Sequence, residues 1–279
     1  MAVIPKKVDV FGVGVSVVDY AAATNAIITA AKEKRSFGAT ALAVHGLVTS
    51  VTHPDLLGMV NAFDLVCPDG QPVRWAMNTF HQTHLSDRVY GPALGLSVCR
   101  QAAAEGIGVY LFGSTPKTCA AMIQQLKRRF PSLKICGAQP DWFRDVTPQE
   151  DEDDVRRIND SGAGIVMVGC GCPRQEIWVA KHRGRIHGAM LAIGAAFDFW
   201  AGTKPQAPGW MQRSGLEWLF RLACEPRRLW ARYLTTNSLY CLLFIRVFVQ
   251  RNVLGIKRDH THVPDATTHC GPNQIGHRL

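Results

Sequence analysis

Gly164 to Trp178 reads GIVMVGCGCPRQEIW, and its residue types suit the binding of an anion. Ile165 to Val168 is an apolar run too short for a helix and β-branched enough for a buried parallel strand. Gly169 and Gly171 permit a tight turn and close backbone approach. Pro173 takes the first helical position, and Gln175, Glu176, Trp178 and Lys181 continue at helical spacing. A strand, a glycine turn and a helix start turn backbone N–H groups and the helix dipole toward a phosphate. Any βα junction shares this pattern, so the stretch alone leaves a phosphate site and a structural turn both open.

A second place for chemistry is Asp64 to Gly70, a strand ending in a turn. It puts Asp69 at the carboxyl edge of a sheet, where ligands bind in open α/β folds. A third is the C-terminal quarter. From Gly202 to Arg258 there are ten lysines and arginines against Glu217 and Glu225, so nearly all of the net charge of +9 sits there. A near-neutral body with a basic end predicts an anionic partner: a membrane, a nucleic acid or a phosphorylated substrate.

These groups need elements to hold them. Val8 to Val13 reads as a strand, and Asp19 as the N-cap of a helix running to about Lys34. Thr40 to Val44, Val109 to Phe112, Leu133 to Cys136 and Ala189 to Ile193 read as further strands. Helices open at Pro54, at Thr115-Pro116 and at the capping box Thr147 to Glu150. Gly194 to Gly202 reads as a loop carrying Asp198. The alternation predicts an α/β fold with a mostly parallel, Rossmann-like sheet, helices on both faces and a C-terminal helical appendage. The expected division is a catalytic domain over 1–204, an appendage over 205–255 and a flexible tail over 256–279.

In the appendage, Trp210, Trp218, Phe220, Trp230 and Tyr233 interleave with arginines on helical segments broken by Pro208 and Pro226. Leu239 to Val249 is strongly apolar but far short of the roughly 20 residues that cross a bilayer. It reads as an amphipathic helix lying in a membrane interface. A helical hairpin packed on the sheet, with solvated arginines, fits the same pattern.

Other classes are excluded by spacing. Gly12 and Gly14 lack the third glycine and the acidic partner of a dinucleotide fingerprint. Cys170 and Cys172 are one residue apart with no second pair, which argues against zinc. Nine cysteines, with no pattern of a targeting peptide at MAVIPKKVDVFG, point to reduced thiols in the cytoplasm. His260, His262, His269 and His277 lie in the loose tail and read as incidental.

Six segments, PDGQPVRWA (68–76), RVYGP (88–92), GCGCPRQEIW (169–178), FDFWAG (197–202), APGWMQRSGLEWLFRL (207–222) and EPRRLWARYL (225–234), resemble the WecG/TagA/CpsF glycosyltransferases. The likeness runs from about Val8 to Leu234 in order, and ATALAVHGL (39–47) is most similar to the exopolysaccharide branch. The resemblance implies an inverting transferase that needs no metal or other cofactor. It would move a sugar from a UDP-sugar to a sugar on a polyprenyl diphosphate at the inner face of the cytoplasmic membrane.

The resemblance also implies roles. Asp69 matches the family's catalytic base, or caps a turn before Gly70. Arg88 matches an active-site arginine suited to a diphosphate, or pairs with Asp87. Gln175 matches a glutamine near the sugar or nucleotide and Thr40 a threonine at a strand end, so with Gly169 and Gly171 they are expected at the donor, or else are plain helix-surface and strand-end polar groups. Arg221, Arg227, Arg228 and Arg232 would hold the acceptor diphosphate and meet the membrane. Two positions depart from the family: Leu42 replaces an asparagine and Ala93 an aspartate. N-acetylmannosamine, its uronic acid and glucose therefore all stay open as donor sugars, glucose favoured by the branch. An inactive relative that binds carrier lipid as a scaffold is the alternative. Nucleic-acid binding is not expected, because no known binding motif accompanies the basic charge. Self-association is left open.

Overall fold

A computed structural model describes residues 5–254. Six parallel strands form one sheet in the order β4-β3-β8-β7-β5-β6. They are β3 (Phe37–Leu42), β4 (Leu65–Pro68), β5 (Val109–Gly113), β6 (Ile135–Gln139), β7 (Ile165–Gly169) and β8 (Ala189–Ala192). Strands covered on both sides should be apolar throughout, and β4, β5 and β8 are buried at every residue. Helices α1 (Tyr20–Lys32), α5 (Gly91–Glu105), α6 (Pro116–Arg129) and α9 (Ala196–Trp200) cover one face, packing Ile27, Leu94, Met122 and Phe197. Helices α2 (Val44–Thr52), α3 (Pro54–Asn61), α4 (Gln71–His81), α7 (Pro148–Asp160) and α8 (Arg174–His182) cover the other through Leu47, Val60, Met77, Ile158 and Val179. The expected α/β class, parallel sheet and two-sided helices are what the chain forms.

Local chemistry sets the helix starts. The Asp19 side chain accepts the Ala22 N–H, Thr115 accepts that of Thr118, and Thr147 with Glu150 forms the full capping box. Four details differ from expectation. Val8 to Val13 is not one strand: β1 (Lys7–Val10) and β2 (Val13–Ser16) form an antiparallel hairpin outside the main sheet. Phe11 and Gly12 both have positive φ, which is the geometry of a two-residue hairpin turn. The strand expected at Thr40 ends at Leu42, and Val44 already starts α2. Strand β6 begins two residues late, at Ile135. Asp198 sits on the short helix α9 rather than in a loop.

After residue 208 come α10 (Gly209–Arg213), α11 (Glu217–Cys224) and α12 (Pro226–Asn252). Leu239 to Val249 is no separate segment but part of α12, which is 27 residues long and so roughly 40 Å. The helix has two unlike faces. On one, Leu229, Thr236 and Tyr240 are buried, and Leu239, Phe244 and Val247 pack on the core. The Tyr240 hydroxyl donates to the Pro72 carbonyl at 2.5 Å, its ring meets Phe11, and the Arg251 guanidinium donates to the Phe80 carbonyl. The other face exposes Trp230, Leu234, Leu242, Ile245 and Phe248. Among the described residues no helix is long and apolar enough to cross a membrane. The tail beyond 254, with its four named histidines, lies outside the described residues.

Tyr240 is therefore a main anchor of the arm formed by α10 to α12. Tyr240→Ala is expected to cost about 3 kcal/mol and to open the arm to trypsin at Arg213, Arg221 and Arg227 in limited proteolysis. An arm as resistant as wild type would remove Tyr240 from that role.

Candidate active site

The carboxyl ends of β3, β4, β7 and β8 form one rim. Asp69 directly follows β4, and its N–H donates to the Leu42 carbonyl at 3.2 Å, which ties the turn to the end of β3. The Val89 N–H donates to the Pro68 carbonyl at 2.8 Å and draws residues 88–90 alongside. Asp69 Oδ1 accepts the N–H of Gly91, the first residue of α5, at 3.3 Å. The half-buried carboxyl thus faces the start of a 15-residue helix, where the dipole favours an anion. A β-carbon at Gly91 would lie 3.0 Å from the Ala41 Cβ and 3.6 Å from Asp69 Oδ2, so only glycine keeps this approach unhindered.

Burial dominates the electrostatics of Asp69. Withdrawal from water pushes its carboxyl up to about 7. Arg88 opposes the shift, Glu217 adds to it, and the Gly91 bond and Arg221 oppose it again. A carboxyl near 7 exchanges a proton readily at neutral pH, as a general base must.

Arg88 is buried, with 7% of its surface exposed. Its guanidinium does not pair with Asp87, which instead accepts the Arg88 backbone N–H and the Gln71 side-chain amide, both at 2.8 Å. Nη2 of Arg88 donates to Glu217 Oε2 at 2.6 Å, and the guanidinium lies 4.3 Å from the centre of the Tyr90 ring. The Tyr90 hydroxyl donates to Glu217 Oε1 at 3.0 Å and accepts from the Gln206 amide at 3.1 Å. Glu217 belongs to α11, so the arm contributes a buried carboxylate to the rim. No spacing rule marks this residue, because its partners lie some 130 positions earlier in the chain.

Thr40 and Gln175 also meet, through a residue that reasoning from sequence passed over. Glu176 Oε1 accepts the Thr40 hydroxyl at 3.0 Å and the Gln175 amide at 2.9 Å. Glu176 is enclosed, and burial holds its carboxyl above the usual range. Glu176 Oε2 and Gln175 Oε1 are buried without a hydrogen-bond partner among the described residues, unusual for a finished interior. Gln175 packs so close to Gly194 that a β-carbon there would lie 2.7 Å from Gln175 Oε1.

The two turn glycines differ. A β-carbon at Gly169 would strike the Phe197 ring at 2.6 Å, so its bareness admits α9. Gly171 has φ +79° and open space around it, leaving its backbone approachable. Pro173 caps α8, which begins at Arg174, one residue later than expected.

Of the four arm arginines, two turn inward. Arg221 is half-buried, 6.0 Å from the Phe199 ring centre, and its charge reaches Asp69 and His45. Arg232 is half-buried, and burial and then repulsion from Arg228 lower its pKa. His45 on α2 is pushed down to about 4 by burial, with Arg232 and Arg221 adding to it, and is neutral. Arg227 is exposed, and Arg228 is exposed and pairs with Glu225 at 2.5 Å.

A cavity of about 220 Å³ lies where the arm meets the body, lined by Tyr20, Gln71, Arg88, Tyr90, Gln212 and Arg213, among others. Gln71 Oε1 is buried there without a partner. A wider depression of about 580 Å³ lies by α7 and Arg185, whose guanidinium already pairs with Asp151 and Glu152. It is remote from the strand ends that hold Asp69. Among the described residues, no three His, Cys, Asp or Glu side chains converge as a metal site would require.

The raised carboxyl of Asp69 has a consequence for stability. The folded state prefers its protonated form, so stability present below the ordinary carboxylate range is lost as pH rises through about 7. Asp69→Asn removes the ionisation. It is expected to match wild type in Tm near pH 4 and to exceed it at pH 8. Equal melting at both values would show that the carboxyl is not held out of water.

Residues 8–253 match the model of the Glycosyl transferase WecG/TagA/CpsF family. The match takes in the rim, Arg88, the glycine turn and nearly all of the arm, so the chain belongs to this family of glycosyltransferases, enzymes of cell-surface polysaccharide synthesis.

Proposed function

We propose that the chain is an inverting glycosyltransferase of exopolysaccharide assembly. It takes a sugar from a UDP-sugar to a sugar carried on polyprenyl diphosphate, at the inner face of the cytoplasmic membrane. The observation that carries this reading is the Asp69 carboxyl, held near neutrality on a rim that also presents Arg88 and the open Gly171 turn.

The reaction is a single displacement. An acceptor hydroxyl attacks the anomeric carbon while Asp69 takes its proton; the bond from that carbon to the diphosphate oxygen breaks, and UDP leaves with the electron pair. A positioned base of this kind is worth about 10²–10⁴ in rate. Arg88 is suited to the departing diphosphate because a guanidinium stays charged when buried and binds two oxygens at once. Fixed cations, with the start of α8, supply charge stabilisation of the kind a metal gives elsewhere, so a metal-independent transfer is proposed. Arg221 and Arg232, crowded by like charge, suit the diphosphate of the acceptor. The cavity beside Gln71 is roomy enough for a sugar ring and lined by polar groups.

The donor sugar is narrowed by what is missing. Leu42 is 1% exposed and packs in the core, so the position two residues after Thr40 offers no polar group to the donor. Ala93 is exposed and equally mute. Glucose, which needs no acetamido or uronate reader, is the donor favoured here.

For the membrane, the support is the outward face of the arm. Trp218, Leu219, Trp230, Leu234, Leu242, Ile245 and Phe248 are exposed, with Arg227, Arg228 and Arg246 exposed beside them. An amphipathic helix of this composition lies in the lipid interface, each arginine adding roughly 1 kcal/mol near an anionic surface. In this reading the arm of 205–255 is the membrane-seeking unit and 1–204 the catalytic one.

Two outcomes follow. Asp69→Asn should cut UDP release with lipid-linked acceptor at least about a hundredfold, while wild-type kcat/KM rises with pH and levels off above about 7; a variant with near-normal turnover would end the assignment of the base. Leu242→Gln, Ile245→Gln and Phe248→Gln combined should weaken binding to anionic liposomes at least tenfold with Tm unchanged. Undiminished flotation with liposomes would detach the arm from the membrane.

A further inference from the structure

Glu217 reaches from the arm into the body and is nearly shut off from water: its side chain is 11% exposed and that of Arg88 9%. Both of its oxygens are engaged, one by the Arg88 guanidinium and one by the Tyr90 hydroxyl. Enclosing a carboxylate is costly unless it is paired in this way. The pairing also decides what Arg88 does not do. Arg88 feels the charges of both Asp69 and Glu217, yet its ion pair is with Glu217. It stands between a carboxylate of the body and a carboxylate of the arm, and it is bonded to the arm's.

We propose that Glu217 is a positioning residue for the transfer: docked with the arm, it holds the Arg88 guanidinium and the Tyr90 hydroxyl and so keeps Asp69 free to accept a proton. This rests on the reading of Asp69 as the base. Without Glu217, Arg88 would turn to Asp69, the other carboxylate that acts most strongly on its charge, since Asp87 is already engaged by the Arg88 backbone N–H and Gln71. The base would then be tied up in an ion pair and lose its appetite for a proton. Readiness of the site and docking of the arm thus become one event.

The groups facing Asp69 settle the sign of the effect. Arg88 and Tyr90 come from the segment before α5, Tyr20 from α1, Cys67 from β4, and Glu217 and Arg221 from α11. Burial raises both tyrosines and the thiol above their ordinary values, so near neutrality they are uncharged. The charges that act on Asp69 most strongly are Arg88 and Arg221 against Glu217, with Asp87 beside Arg88 and held by Gln71. Removing the negative one leaves two guanidinium groups, and Asp69 must titrate at lower pH.

The test is Glu217→Gln in the full chain, with folding checked by melting. The Asp69 carboxyl is titrated by carbon-13 NMR, its signal assigned by loss in Asp69→Asn. The expected result is a midpoint near 7 in wild type and one lower by about one unit or more in the variant. The acid limb of kcat/KM should move with it, and kcat should fall at least tenfold. Tyr90→Phe, which keeps the Glu217 charge, should leave the Asp69 midpoint where it is in wild type. An unchanged midpoint in a folded Glu217→Gln protein overturns the proposal, as does a variant that binds UDP-sugar more tightly and turns over faster, the behaviour of a plug. A shifted midpoint in a protein whose wild type releases no UDP would uphold this coupling and refute the proposed reaction instead.

Discussion

A half-buried carboxylate, with the cation that acts on it most strongly already taken, is the arrangement on which the site depends. Asp69 is close to Arg88 in charge but not bonded to it, because the guanidinium is engaged by Glu217. One backbone N–H at the start of α5 is the hydrogen bond that holds the Asp69 carboxyl in place. Each part of this balance comes from a different stretch of chain. Strands β3 and β4 place the turn, α5 supplies the dipole, and the arm supplies the competing anion.

The arm follows the same logic on a larger scale. Helix α12 is apolar on two sides for two reasons. Tyr240 and Phe244 bind it to the hairpin and α4, and Leu229 is buried on the same side, while Trp230, Leu242 and Phe248 face outward. A helix wanted only for packing would have a polar outer face, and an exposed apolar stripe of this length marks an interaction surface. The arm therefore joins an exposed apolar stripe to a carboxylate that reaches the rim.

Much of this was legible in the residues and some of it was not. Asp69 at a strand end, the cap at Asp19 and the capping box at Thr147 are local patterns, set by neighbours a few positions away, and the structure has them as read. The hairpin was read as one strand because Phe11, a residue that seldom takes positive φ, forms the turn with Gly12. Gly169 looked like Gly171, yet its bareness is explained by the Phe197 ring, which lies 28 positions along the chain. Glu176 and Glu217 are the more telling omissions. Glu176 reads only as a position at helical spacing and Glu217 only as one of two acids in a basic region, because the partners that give them meaning, Thr40 and Arg88, come from distant sequence. Leu239 to Val249 reads either as a helix lying in a membrane interface or as part of a hairpin packed on the sheet; it belongs to one long helix that packs on the body along one side and is apolar and exposed along the other.

The fate of one proton decides whether Asp69 is the base, and a ternary complex reveals it. With an unreactive UDP-sugar analogue and a short-chain lipid-linked acceptor bound, the distance from the acceptor hydroxyl to the Asp69 carboxyl would be measured by crystallography. The expected separation is about 2.6–3.2 Å, with the donor diphosphate against Arg88. An ordered hydroxyl lying farther from Asp69 than one bridging water would contradict it.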